Sequence, residues 1–219
     1  MLTSSTMDDQ LLSLCKQAIH ALGVSSCGVT MRTDGGQSVT AHASDARAAA
    51  VEDLQHTLGE GPGVAASDSG AAILVPDLAD LRNSVNERWP TFAKETVEIG
   101  VHAAFAFPLL LGTSTVGALS LYREESGGLS PDGVVQGWVS AEAVAMALAD
   151  PVDIAPDTLD LLDVMRVHQA AGMVTVQLGV PIAQALMRMR STAFAEGLSV
   201  DELAEAIVAR RRRLSKEDA

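Results

Sequence analysis

Four consecutive arginines, Arg210 to Arg213, form the densest run of one charge in the chain. A guanidinium presents a planar fork of donors that matches phosphate oxygens. One or two cations would suffice to complement the dipole at a helix C-terminus, so a run of four points to phosphate contact as well. Arg166, Arg188 and Arg190 extend the candidate set. Arg188 and Arg190 stand two residues apart, which on a helix turns them about 160° away from each other. Arg188 lies off the apolar stripe of its segment. Arg190 follows Met189, where it serves either the same contact or the bracing of a helical core.

Other chemistry is sparse. Leu58 to Gly63 carries three glycines but lacks the lysine and hydroxyl of a phosphate-binding loop, so a tight turn into a short helix is the expectation. The five histidines, His20, His42, His56, His102 and His168, show no ligand spacing on one element, and no metal site is expected. Cys27 falls on an expected core strand, where a free cysteine is ordinarily inert. No nucleophile, base and orienting acid stand in a recognisable order. The chain reads as non-enzymatic, with no cofactor implied.

Those residues need elements to hold them. Net charge is −13 over 219 residues. Residues 1–157 hold 7 Lys/Arg against 20 Asp/Glu, hence −13, and residues 158–219 hold 8 against 8, hence zero. Only the second part is placed to approach a phosphate backbone. Met1 to Asp9 lacks a leader pattern, and no apolar run reaches the length of a membrane span, so a reducing cytoplasm is expected.

Asp8 to Leu22 has Leu11, Leu14, Cys15, Ala18 and Leu22 on one helical side. Strands are expected at 27–32, 37–43, 72–75, 103–111 and 115–122, with Thr33-Asp34-Gly35-Gly36 as a hairpin turn. Ser44 is the expected cap of a helix to His56. Helices are also expected at 91–99 and 130–150, with 83–89 as loop. The order of elements describes an α+β domain with a central antiparallel sheet. Pro151 and Pro156 bracket an acidic linker, 151–157. Beyond it, 158–178 carries two apolar lines: Leu161, Val164, His168, Ala171, Thr175 and Leu178, and Leu162, Met165, Gln169, Gly172 and Val176. Two lines predict burial on two sides, as a helix in a dimer contact beside a small core would have. Pro181 opens a next helix with Ile182, Ala185, Leu186, Met189 and Ala193 as its stripe, stopped by Gly197. Ser199 and Glu202 form a capping box for a third, with Val200, Leu203, Ala204 and Ile207 buried.

Leu58 to Pro62, Val75-Pro76-Asp77-Leu78, Arg88-Trp89-Pro90-Thr91-Phe92, Phe107-Pro108-Leu109 and Val116 to Tyr122 resemble the GAF domain, a bacterial ligand-sensing module, over 5–150. The resemblance implies a ligand pocket near the strand that His102 precedes, with Cys27, His102, Phe105 and Phe107 as candidates to line it. Ala170-Ala171-Gly172, Gly179-Val180-Pro181, Ala185-Leu186 with Met189-Arg190, and Leu203 to Val208 resemble the ANTAR domain, a three-helix RNA-binding module, over 158–214. That resemblance implies Ala170, Gly172, Ala185, Met189 and Ala204 in a helical core. It implies RNA contact by Arg166, Arg188, Arg190 and Arg210 to Arg213, and a homodimer that binds stem-loops in nascent transcripts and prevents termination. A basic residue is usual in that family where Ala171 stands. This departure motivates the alternative of a sensor or scaffold whose C-terminal helices only dimerise or meet protein partners.

Overall fold

The computed structural model describes residues 4–33, 38–80, 86–149 and 158–215. The expected turn at Asp34 to Gly36 and the linker 151–157 lie outside them. Two compact units result, one built on the sheet and the other on the three C-terminal helices.

The first unit runs α1 (Ser4–Leu22), β1 (Ser26–Arg32), β2 (Ser38–Ala43), α2 (Ala46–Leu58), α3 (Pro62–Ser69), β3 (Ile73–Val75), α4 (Pro90–Glu98), β4 (Ala103–Leu111), β5 (Ser114–Arg123) and α5 (Pro131–Ala149). Its five strands pair antiparallel in the order β2-β1-β5-β4-β3. Because side chains alternate along a strand, one register sends two sets of residues to opposite faces. Cys27 stands opposite Leu121, which stands opposite Phe105, while Gly28, Ser120 and Ala106 align one step along. The first set joins α1 and α5 in the main apolar core with Leu11, Cys15, Val144 and Leu148. The second face is floored by small residues, and Ala66 of α3 packs there on Ala106 and Ala118.

Local chemistry explains most boundaries. Gly61, at φ 132°, turns the chain into Pro62 at the start of α3, so the glycine-rich segment is a turn into a short helix. Ser130 Oγ accepts from Gly133 N at 3.1 Å and caps α5. Asn86–Arg88 forms one 3-10 turn within the expected loop. The cap of α2 differs from expectation. Asp45 Oδ1 accepts from Ala48 N at 2.8 Å, while Ser44 Oγ accepts from Cys27 N at 2.9 Å and so ties the helix entry to β1 instead.

The second unit comprises α6 (Thr158–Leu178), α7 (Ile182–Glu196) and α8 (Val200–Val208). Its core gathers Val167, Ala170, Ala171, Val174 and Leu178 with Ala185, Met189, Ala193, Leu203, Ala204 and Ile207. Ser199 and Glu202 make the full reciprocal capping box. Pro181 is the cap of α7 rather than its first helical residue, and Ile182 is exposed rather than part of the buried stripe. Among the described side chains of α6, Val167, Ala170, Ala171, Val174 and Leu178 are buried, while Gln169 and Val176 of the second expected line are exposed. Gly172 is half-exposed and Val176 is 84% exposed. A Cβ on Gly172 would meet nothing within 4 Å, so packing in the three-helix core does not require glycine there.

Candidate functional site

Two places concentrate polar chemistry, one in each unit. In the first unit, α2 lowers Glu52 and Gln55 onto the small-residue face of the sheet. Glu52 Oε1 accepts from the Tyr122 hydroxyl at 2.7 Å, and Glu52 Oε2 accepts from Gln55 Nε2 at 3.1 Å. Gln55 Nε2 also donates to Tyr122 Oη at 3.0 Å, and Gln55 Oε1 accepts from Gly63 N at 2.7 Å. The floor has to be small for this. A Cβ on Gly28 would fall 2.0 Å from Glu52 Oε1, and one on Gly63 would fall 2.9 Å from Ser120 Oγ. β1 and α3 therefore carry glycine where the carboxylate and the helix approach the sheet.

Glu52 is 1% exposed, and no cation meets it among the described residues. Burial disfavours the charged carboxylate and pushes its pKa up from 4.5 to about 7, with hydrogen bonds from Tyr122 and Gln55 pulling the other way. Burial, and then the Glu52 charge, push the Tyr122 phenol up. The cluster can thus hold or release one proton near neutrality, with Glu52, Gln55 and Tyr122 bonded to one another and Ser120 Oγ buried beside them without a hydrogen-bond partner among the described residues. Sequence reasoning missed it. The available signal was a carboxylate four residues after Ala48 and beside Val51, on the side of α2 that Gln55 continues.

The pocket candidates chosen from sequence do not surround this cluster. Cys27, Phe105 and Phe107 point to the opposite face, into the core with α1 and α5. Phe107 meets Trp138 edge-on at 5.8 Å, and a Cβ on Gly137 would fall 2.2 Å from its ring. His102, half-buried, joins strands through its backbone: its carbonyl accepts from Leu78 N at 2.8 Å and its N–H donates to Arg123 O at 2.9 Å. A groove of about 440 Å³ lies elsewhere, between the end of α1 and the start of α5, with Arg123, Ser130, Asp132 and Gln136 among its lining residues.

In the second unit, the arginine run is split by the way α8 ends. Arg210 N donates to Ile207 O at 3.0 Å and Arg211 N to Ala206 O at 2.8 Å, with Arg210 at φ 59°. This is the Schellman termination, whose left-handed position is usually glycine. Here an arginine occupies it. Arg211 pairs with Glu205 at 2.5 Å, and Arg212 pairs with Glu196. Arg210 and Arg213 are exposed and have no acidic partner among the described residues. Arg166, Arg188 and Arg190 are half-buried, Arg166 on α6 and the other two on α7. Sequence reading treated the four arginines as one group; their backbone geometry divides them into two engaged and two open.

A five-stranded antiparallel sheet with helices on both faces places the first unit in a class of small α+β domains. The model of the GAF domain matches residues 4–149, and the chain belongs to that family. Solved structures agree on the fold. The GAF domain region of a Geobacter sulfurreducens PCA protein aligns with TM-score 0.55 at 13% identity, covering 67% of this chain and 95% of that one. A domain assigned to a two-component sensor histidine kinase of Sinorhizobium meliloti 1021 aligns with TM-score 0.51 at 14% identity, covering 65% of this chain and 91% of that one. No curated protein matches the chain at a significant level. No helix among the described residues is long and apolar enough to cross a membrane.

Proposed function

We propose that this chain is a signal-responsive transcription antitermination regulator, binding RNA through α6 to α8 and sensing through its GAF domain. One observation carries the reading: an arginine occupies the left-handed position that ends α8. For an L-residue that backbone costs about 1–2 kcal/mol against the ordinary region, and glycine would avoid most of it. A strained non-glycine backbone on an exposed tip points to use. The turn directs Arg210 and Arg213 off the helix end with no acidic partner among the described residues, on a segment of zero net charge. The pairs of Arg211 and Arg212 with glutamates are partly exposed, a kind worth about 0–1 kcal/mol, and they would yield to phosphate at little cost.

The protein would act as a homodimer on paired stem-loops of a nascent transcript and prevent a terminator hairpin. Loop bases would stack on arginine and apolar surface while the arginines meet phosphates. A ligand or partner at the GAF domain would regulate it only by preferring one arrangement of the dimer. The described part of the second line of α6, with Gln169 exposed, no atom within 4 Å of a Cβ on Gly172, and Val176 84% exposed, suits the dimer contact. The same line also favours the second reading, a sensor whose C-terminal helices dimerise without touching RNA.

Binding of the full-length protein to a two-stem-loop RNA across a salt series separates the readings. Affinity is expected to fall with salt. Replacing Arg210 and Arg213 together by glutamine should flatten the slope of log K against log salt by about 1.4, at roughly 0.7 per phosphate contact. If a protein shown to be dimeric binds native transcript loops no better than a scrambled hairpin, the RNA reading fails and the dimerising sensor stands.

A further inference from the structure

The core between α1 and the sheet holds two thiols that the regulatory reading does not use. Cys15 projects from α1 and Cys27 from β1, both are free, and neither has any solvent exposure. Their Sγ atoms lie 2.9 Å apart. Apolar side chains, including Leu11, Ala18, Val29 and Leu121, make up the surrounding core. Two core residues of this size could meet through carbon in many ways; here the sulfurs themselves are the atoms in contact. A disulfide has its sulfurs about 2.05 Å apart, so less than an ångström of movement separates the pair from bonding.

We propose that Cys15 and Cys27 are a peroxide-oxidisable dithiol, which closes to an intramolecular disulfide and fixes α1 to the central sheet. The assignment stands apart from the RNA reading. The chemistry has a direction. The Cys27 thiol donates its hydrogen bond to Cys15, which lowers the Cys15 thiol against the opposing effect of burial and holds the Cys27 thiol up, with burial and the charges of Glu52 and Asp45 adding to the latter. Cys15 is therefore the attacking sulfur. Its thiolate forms an S–O bond to one oxygen of hydrogen peroxide as the O–O bond breaks. The departing hydroxide takes a proton, leaving water and a Cys15 sulfenic acid. The Cys27 sulfur then attacks the Cys15 sulfur. The S–S bond forms, the S–O bond breaks, and the leaving hydroxide carries off the Cys27 proton as a second water. Two thiols and one peroxide give one disulfide and two waters. Full burial means that peroxide reaches Cys15 only when α1 opens locally, so the reaction is slower than for an exposed thiol. Contact with Cys27 makes disulfide, rather than sulfinic acid, the end product.

The experiment doses the folded full-length protein with hydrogen peroxide, blocks remaining thiols with N-ethylmaleimide in denaturant, and maps tryptic peptides by mass. Cleavage after Lys16 separates the two cysteines. The expected result is a monomer lighter by two hydrogens, with no alkylated thiol and with the Cys15 peptide joined to the Cys27 peptide until dithiothreitol is added. Cys27→Ser should stop at a Cys15 sulfenic acid that dimedone traps, and Cys15→Ser should leave Cys27 alkylated. Should either variant misfold, the peptide map of the unsubstituted protein decides alone. Two alkylated thiols after a dose that oxidises the protein in urea overturn the proposal. Linkage between chains, or sulfinic acid on Cys15 with Cys27 free, does so too.

Discussion

Replacing Glu52 by glutamine isolates the cost of burying a carboxylate without a cation. In the unfolded chain Glu52 takes its ordinary value of 4.5, and in the folded protein about 7. Below pH 4.5 both states hold the proton and nothing is lost. Between 4.5 and 7 the unfolded chain releases it while the folded protein keeps it, so stability falls as pH rises. Above 7 both are charged and the loss is constant. At 1.36 kcal/mol for each pH unit of displacement, the full loss is about 3 kcal/mol. Glutamine has the same shape and does not titrate, and its amide oxygen still accepts from the Tyr122 hydroxyl. The stability of the variant minus that of the natural protein should therefore climb by about 3 kcal/mol from pH 4.5 to pH 8. Urea unfolding at several pH values gives this difference. Trp89 and Trp138 both belong to the GAF domain, so their fluorescence follows the right unit. Groups other than Glu52 act on both proteins and cancel in the subtraction. Two stability curves that run parallel across pH would refute the reasoning, because they would mean that Glu52 is solvated or has found a cation.

Gly137→Ala should lower stability although alanine is the better helix former. The gain in helix propensity is about 1 kcal/mol, but the new Cβ would lie 2.2 Å from the ring of fully buried Phe107. Overpacking of that kind costs about 1–3 kcal/mol, so the urea midpoint should drop and the emission of neighbouring Trp138 should shift. Arg210→Gly should do the reverse at the other unit. Relief of the left-handed backbone slows hydrogen exchange of the α8 amides by the equivalent of about 1 kcal/mol, while affinity for the stem-loop RNA falls.

Most elements of the fold were legible because their patterns follow geometry. The alternation in β4 sets Phe105, Phe107 and Leu109 against Ala104 and Ala106, and this shows two faces at once. It does not show which face a buried polar cluster would use. Large aromatic residues drew the pocket candidates to the face that α1 and α5 fill, while the polar cluster sits over the small residues Gly28, Ser120 and Ala106. Glu52 itself was hidden by its neighbours. Ala48, Val51 and Gln55 make a mixed stripe, and burial of a carboxylate among them depends on Tyr122, which lies 70 residues away in the chain. The cap of α2 was misplaced by one residue for a related reason. Ser44 and Asp45 are both good caps, and the choice was settled by the β1 N–H that occupies Ser44.

The arginine run shows what composition leaves undetermined. Counting four cations suggested one basic patch, but a patch depends on where the backbone turns. The stop of α8 occurs at Arg210, after the buried residues Leu203, Ala204 and Ile207 have been used. From there Arg211 and Arg212 return toward Glu205 and Glu196, and Arg210 and Arg213 do not. Their availability thus follows from helix termination rather than from charge density. It follows that a glutamine scan should find Arg210 and Arg213 more costly to RNA affinity than Arg211 and Arg212, even though all four carry the same charge.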